Sequence, residues 1–204
     1  MEAVTTKTRI LHVALDLFAK DGYTAVSIRD ICAQVGIKES TVYYHFKNKR
    51  AIFDELFQTF QRTAQGMMDL LDHEMNGVDK IEDSAFQMVC DVFFEKYLMD
   101  DFCNRFIRLI SLEQLNNAEV QALYTKWMFD EPLRFQSRIF SRMIGAGILP
   151  SVNSDYTAIK YYAPIYLYTQ RYLLSGELTE QKKADFRSEA NRHIVNFFKE
   201  CGVH

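Results

Sequence analysis

A chain of 204 residues with 24 Lys and Arg against 27 Asp and Glu carries a net charge of −3, and 48% of it is hydrophobic. That composition belongs to a folded chain with ample core, which excludes a disordered polymer, and no run approaches the ~20 apolar residues that cross a bilayer. The four cysteines (Cys32, Cys90, Cys103, Cys201) form no CxxC pair and the first residues lack a signal peptide's basic end and apolar run, so neither zinc, disulfide framework, membrane nor export is expected, and a reduced cytoplasm is.

With 3 Pro and 8 Gly, long helices are the default. The first is predicted from about Thr6 to Lys20, with Ile10, Ala14, Leu17 and Phe18 on one face and Asp21-Gly22 ending it. Ser27-Ile28-Arg29-Asp30 reads as a capping box with Asp in place of the usual Glu, opening a short helix whose apolar face is Ile28, Ile31, Cys32 and Val35. Gly36 breaks it, and Lys38 to Phe46 forms another of barely two turns. Two short helices joined at a glycine, with a third behind, are the pattern of a helix-turn-helix.

A long connecting helix is predicted from Asn48 to about Met75, with Ile52, Leu56, Phe60, Ala64 and Met67 along one side and Asn76-Gly77 closing it. Further helices are expected at about 79–99 (Phe86, Cys90, Phe93, Tyr97), 101–115 (Phe102, Phe106, Leu109, Ile110) and 117–145, the last kinked or divided by Pro132. After a loop at Gly145-Ala146-Gly147 and Pro150, a final pair covers about 153–175 and 180–200, with Phe186, Ala190, Ile194, Phe197 and Cys201 at helical spacing. No strand alternation is visible, so the fold class is all-α.

Residues 27–50, ending GIKESTVYYHFKNKR, together with Ala14-Leu15-Asp16-Leu17-Phe18 and Gly22-Tyr23, closely resemble the DNA-binding head of the TetR family of transcriptional repressors. The resemblance covers the first quarter of the chain and implies an N-terminal three-helix helix-turn-helix head at 1–47. A helical bundle for ligand binding and dimerisation would follow at 48–204. Charge agrees: residues 1–50 hold eight basic and five acidic residues, a net +3 on an otherwise acidic chain, as expected where one end meets a polyanion.

A helix in the major groove presents its first-turn residues to base edges. Here those are Lys38, able to donate to guanine, Glu39, able to accept from cytosine, and Ser40 and Thr41, suited to bases or phosphates. Lys38 stands where many relatives have a small capping residue. Tyr43, Tyr44, His45 and Lys49 offer phosphate or sugar contacts, with one of the two tyrosines expected to be partly structural. Arg29 can reach a phosphate or a base, and the Ser27 hydroxyl a phosphate. The resemblance assigns the same roles to these positions.

Of 28 aromatic residues, 23 lie beyond residue 50, accompanied by methionines. Such side chains line adaptable cavities between helices, and the resemblance places an effector site among the connecting helix and the three after it. The candidates are Phe60, Met67, Cys90, Phe93, Phe106, Tyr124 and Trp127; Arg105 and Arg108 can neutralise an acidic ligand or form a salt-bridged face. The last two helices offer a homodimer surface through Tyr162, Tyr166, Leu173, Leu174, Ile194, Phe197 and Phe198, which would set two heads on a near-palindromic duplex about one turn apart.

The expectation is a ligand-responsive regulator, most simply a homodimeric repressor that binds a double-stranded DNA operator and is released by a small, largely hydrophobic effector. It needs no cofactor or metal and is not an enzyme. One alternative keeps the head but replaces the ligand by oxidation of Cys90, Cys103 or Cys201. Another is an all-helical enzyme or carrier; no HExxH, GxSxG or glycine-rich phosphate loop favours it.

Overall fold

The structure, a computed structural model, describes residues 5–76 and 90–202. All regular structure within them is helical. The chain runs through α1 (Thr6–Asp21), α2 (Ile28–Val35), α3 (Glu39–His45) and α4 (Lys49–Asn76). Then come α5 (described over 90–93 and prolonged by a π turn, Phe94–Leu98), α6 (Asp101–Glu113) and α7 (Ala118–Thr125). A π turn (Lys126–Asp130) leads into α8 (Glu131–Gly145), followed by α9 (Ser154–Tyr168) with its π turn (Thr169–Leu173) and α10 (Glu180–Glu200). Most of the helix expected at 79–99, Phe86 included, lies outside the described residues.

Two compact units divide the chain: residues 1–64 with 101–124, and residues 65–100 with 125–204. Helix α4 is continuous through the division at 64–65. In the first unit α1, α2 and α3 enclose Ile10, Ala14, Phe18, Ile31, Val35 and Val42, all buried. The first-helix stripe is buried at Ile10, Ala14 and Phe18 as expected, but Leu15, 2% exposed, is buried in addition and Leu17 is only half-buried. Phe106 of α6 lies against Phe53, Phe57 and Phe60 of α4, with ring centroids 6.1, 6.2 and 4.6 Å away.

In the second unit Phe140 of α8, Tyr161 of α9 and Phe197 of α10 form a ring cluster with centroids 5.3 to 5.6 Å apart. The helical run expected at 117–145 is divided just before Pro132, into α7, a π turn and α8. Pro132 sits in the first turn of α8, where its missing N–H costs least, directly after the π turn Lys126–Asp130. The carbonyl four residues back, that of Met128, accepts instead from the Tyr162 hydroxyl at 2.9 Å.

That bond removes Tyr162 from the expected dimer surface. Tyr162, Leu173, Ile194 and Phe197 are all at most 5% exposed, because they fill the core of their own unit. The apolar side chains left open on the same two helices are Tyr156, Ile159 and Leu167 of α9 and Val195 of α10. No described helix is long and apolar enough to cross a membrane.

Candidate nucleic-acid interface and effector cleft

The helix-turn-helix is set by local chemistry. Asp30 N–H donates to the Ser27 hydroxyl at 3.2 Å and Ser27 N–H to the Asp30 carboxylate at 2.7 Å, the reciprocal cap that starts α2. The Ser27 hydroxyl also donates to Asp30 at 2.6 Å, and these bonds hold the Asp30 carboxyl below its usual range. Ser27 is thus first a cap, and donation to a phosphate would compete with Asp30. Gly36, at φ 76°, ends α2 in a left-handed turn that L side chains rarely adopt, and α3 starts three residues later.

In α3 Val42 is fully buried, so its neighbours Ser40, Thr41, Tyr43 and Tyr44 face partly or wholly outward. Tyr44 is 84% exposed and Tyr43 51% exposed, an expanse of aromatic surface that packing does not require. Tyr43 is the more structural of the pair. His45 is half-buried, its ring edge-on to Tyr44 at 5.0 Å. Lys38 is the exposed N-cap of α3 and makes no capping hydrogen bond with its side chain. Arg29 Nε donates to Glu39 Oε1 at 3.1 Å, so these two candidates form an exposed charge pair on the same surface.

Lys49 departs from the expected phosphate contact. Its ammonium donates to the carbonyls of Tyr23 and Val26, both at 2.7 Å, and lies 4.3 Å from the Tyr23 ring centroid. With a longer bond to the Thr24 carbonyl at 3.5 Å, all three of its N–H donors hold the α1–α2 loop, and desolvation lowers its pKa. From the other side the buried carboxylate of Glu113 accepts from Thr24 N–H at 2.8 Å and from the Thr24 hydroxyl at 2.9 Å. Sequence spacing carries no signal for this clamp, which joins residues 89 apart. Gly22 lies inside it, with φ 87° and room for a Cβ only 2.8 Å from Glu113 Oε1. Gly22→Ala is therefore expected to cost about 1–3 kcal/mol and to lower Tm by roughly 3–10 °C in a thermal melt. An unchanged Tm would show that the loop relaxes freely.

The second unit contains a small cleft with a cavity volume of about 20 Å³, room for little more than one water. Leu71 of α4, Cys90, Phe93 and Phe94 of α5 and its π turn, Phe135, Gln136 and Ile139 of α8, and Tyr161, Tyr162 and Ile165 of α9 line it. Of the seven expected ligand contacts it brings together Cys90 and Phe93. Met67 and Trp127 are buried in the same unit but do not line the cleft, whereas Phe60, Phe106 and Tyr124 are buried in the other unit. Gln136 is not among the expected contacts, although a polar residue between Phe135 and Ile139 on a half-buried helix is a visible signal.

Burial pushes the Cys90 thiol up to about 12, and its sulfur lies 3.2 Å from the Tyr161 hydroxyl. A thiolate is strongly disfavoured there, which argues against Cys90 as an oxidation sensor. Cys103 is fully buried, and burial raises the Cys201 thiol as well. Arg105, beside Cys103 in sequence, instead forms ion pairs with Asp16 and Asp101, the salt-bridged alternative.

Residues 10–56 match the family model of the bacterial regulatory proteins of the tetR family. The chain is 26% identical over 122 residues to the HTH-type transcriptional regulator UidR of Escherichia coli K12, covering 60% of this chain and 58% of UidR. It is 27% identical over 118 residues to IcaR of Staphylococcus epidermidis, the negative transcriptional regulator of the biofilm operon icaADBC, covering 56% of this chain and 59% of IcaR. The matched stretch thus spans less than two thirds of either relative's length. A solved TetR-family regulator from Mesorhizobium loti MAFF303099 shares the fold, with a TM-score of 0.66 over 95% of each chain at 18% identity.

Proposed function

From the membership of the TetR family that the head carries at residues 10–56, we propose that this chain is a homodimeric transcriptional repressor released from its operator by a small, largely apolar effector. The observation that supports the DNA-binding half most is the outward face of α3, where Tyr43 and Tyr44 stand exposed beside Lys38 and the Arg29–Glu39 pair. In this reading Lys38, Glu39, Ser40 and Thr41 read bases, while Tyr43, Tyr44, His45, Arg29 and Ser27 fix register on the backbone. Lys49 acts through the α1–α2 loop. The similarity to IcaR, a negative regulator, favours repression.

Release requires a ligand that binds the released state better. A near-complete switch takes about 10⁴-fold differential affinity, or about 5.5 kcal/mol. Leu71 of the cleft belongs to the same continuous helix as Ile52, Leu56 and Phe60, which are buried in the unit that carries the head. A ligand that displaces Leu71 therefore acts on the helix whose Lys49 holds the α1–α2 loop.

The open apolar side chains of α9 and α10 supply the dimer surface in this account. Leu167→Arg, which places a charge at a 61% exposed position, is expected to give a monomer by sedimentation and to abolish specific operator binding with little change in Tm. A wild-type chain that sediments as a monomer yet binds its operator with full affinity would defeat the dimer reading.

A further inference from the structure

We infer that Lys47, in the turn between α3 and α4, is the head's main cationic contact with the DNA backbone, a role that Lys49 does not fill. This rests on the reading of the head as a DNA-binding unit. Of the eight basic residues in 1–50, five are committed within the protein. Lys7 pairs with Glu55 at 2.6 Å and Arg29 with Glu39 at 3.1 Å, while Arg50 spans Asp54 and Glu119. Arg9 donates to the Val35 carbonyl at 2.9 Å, and Lys49 directs all three N–H donors at the α1–α2 loop.

Lys20, Lys38 and Lys47 are the other three, and all are exposed. Lys20 has Asp21 beside it and Asp16 one turn back, so acids offset its charge. Lys38 stands at the end of α3 that meets base edges. Lys47 lies three residues beyond Tyr44, past the other end of the same helix. No acidic residue occurs in 40–53, and Lys47 forms no ion pair or hydrogen bond among the described residues.

The turn fixes where Lys47 stands. Phe46 before it is 3% exposed, and its N–H donates to the Val42 carbonyl at 2.8 Å. The Asn48 side chain after it accepts from Ala51 N–H at 2.9 Å, in the first turn of α4. The backbone on both sides of Lys47 is thus anchored, and its side chain is left to reach outward. An ammonium on a flexible stem suits a phosphate, since a point charge needs no fixed angle of approach. With the N-terminal residues of α3 against base edges, its C-terminal end lies out toward the phosphates that wall the groove.

The test compares Lys47→Gln with Lys49→Gln in the full chain. The probe is a labelled duplex that the wild-type chain itself enriches from a random pool, followed by fluorescence anisotropy between about 50 and 200 mM salt. Each lysine–phosphate contact adds about 0.9 to the slope of log affinity against log salt, and a dimer carries two copies. Lys47→Gln should therefore flatten the slope by about 1.8, weaken binding about 30-fold at about 0.15 M salt and leave Tm unchanged. Lys47→Arg should restore the slope. Lys49→Gln should lower Tm yet keep the wild-type slope, because that lysine acts through the loop. Lys20→Gln should keep the slope as well. A slope unchanged by Lys47→Gln, or flattened as much by Lys49→Gln or Lys20→Gln, overturns the inference while DNA binding itself stands. If the pool yields no enriched duplex, the DNA-binding reading fails and the inference with it.

Discussion

Tyr44→Ala is expected to weaken operator binding about 100-fold without changing Tm. At 84% exposure Tyr44 contributes almost nothing to the core, so truncating it leaves the fold intact. A hydrogen bond to a charged phosphate is worth about 1.5–3 kcal/mol, and a dimer loses two of them, so even the lower figure gives roughly 3 kcal/mol, or about 100-fold. Because tyrosine is neutral, the dependence of log affinity on log salt should keep its slope; that slope counts cationic contacts. Fluorescence anisotropy of a labelled operator duplex at several salt concentrations measures both quantities. Lys49→Ala provides the contrast: it removes three carbonyl contacts in the α1–α2 loop, so Tm should fall, with operator affinity decreasing as the loop loosens. An unchanged affinity for Tyr44→Ala would remove α3 from the interface.

Phe106→Ala is expected to be the most destabilising of these substitutions, at about 3–5 kcal/mol, and to lower Tm by roughly 6–20 °C. The ring is fully buried against Phe53, Phe57 and Phe60, and the stiff rings around it collapse poorly into the cavity left by its removal. This is a large share of the 5–15 kcal/mol that holds a domain together. Denaturant unfolding tracked by circular dichroism measures the loss. A loss below about 1 kcal/mol would show that Phe106 does not hold that ring cluster together.

Tyr44 and Phe106 mark the limit of what the sequence discloses. The head is legible because its determinants are local: Ser27 and Asp30 cap each other three residues apart, Gly36 supplies the left-handed turn, and Val42 alone is buried in α3. The role of Lys49 is not legible, since a basic residue at a helix start looks like a phosphate ligand until the loop carbonyls of Tyr23 and Val26 are seen beside it. The second unit is harder for a different reason. Aromatic residues occur on several faces of its helices, and three π turns each add a residue and rotate the next turns of helix out of a 3.6-residue register. Periodicity therefore identifies Phe186, Ala190, Ile194 and Phe197 as a face of α10, and they are buried. It does not distinguish the core-filling Tyr162 from the open Leu167, nor Phe106 in one unit from Phe93 in the other.

The most direct test of the account is in vitro selection of random duplex DNA by the purified full-length chain, with the stoichiometry of the enriched complex read by native mass spectrometry. The account predicts enrichment of an inverted repeat with half-sites about one helical turn apart, bound by two copies of the chain per duplex or a multiple of two. Enrichment of a lone, asymmetric site bound by one copy, or no enrichment at all, would contradict it.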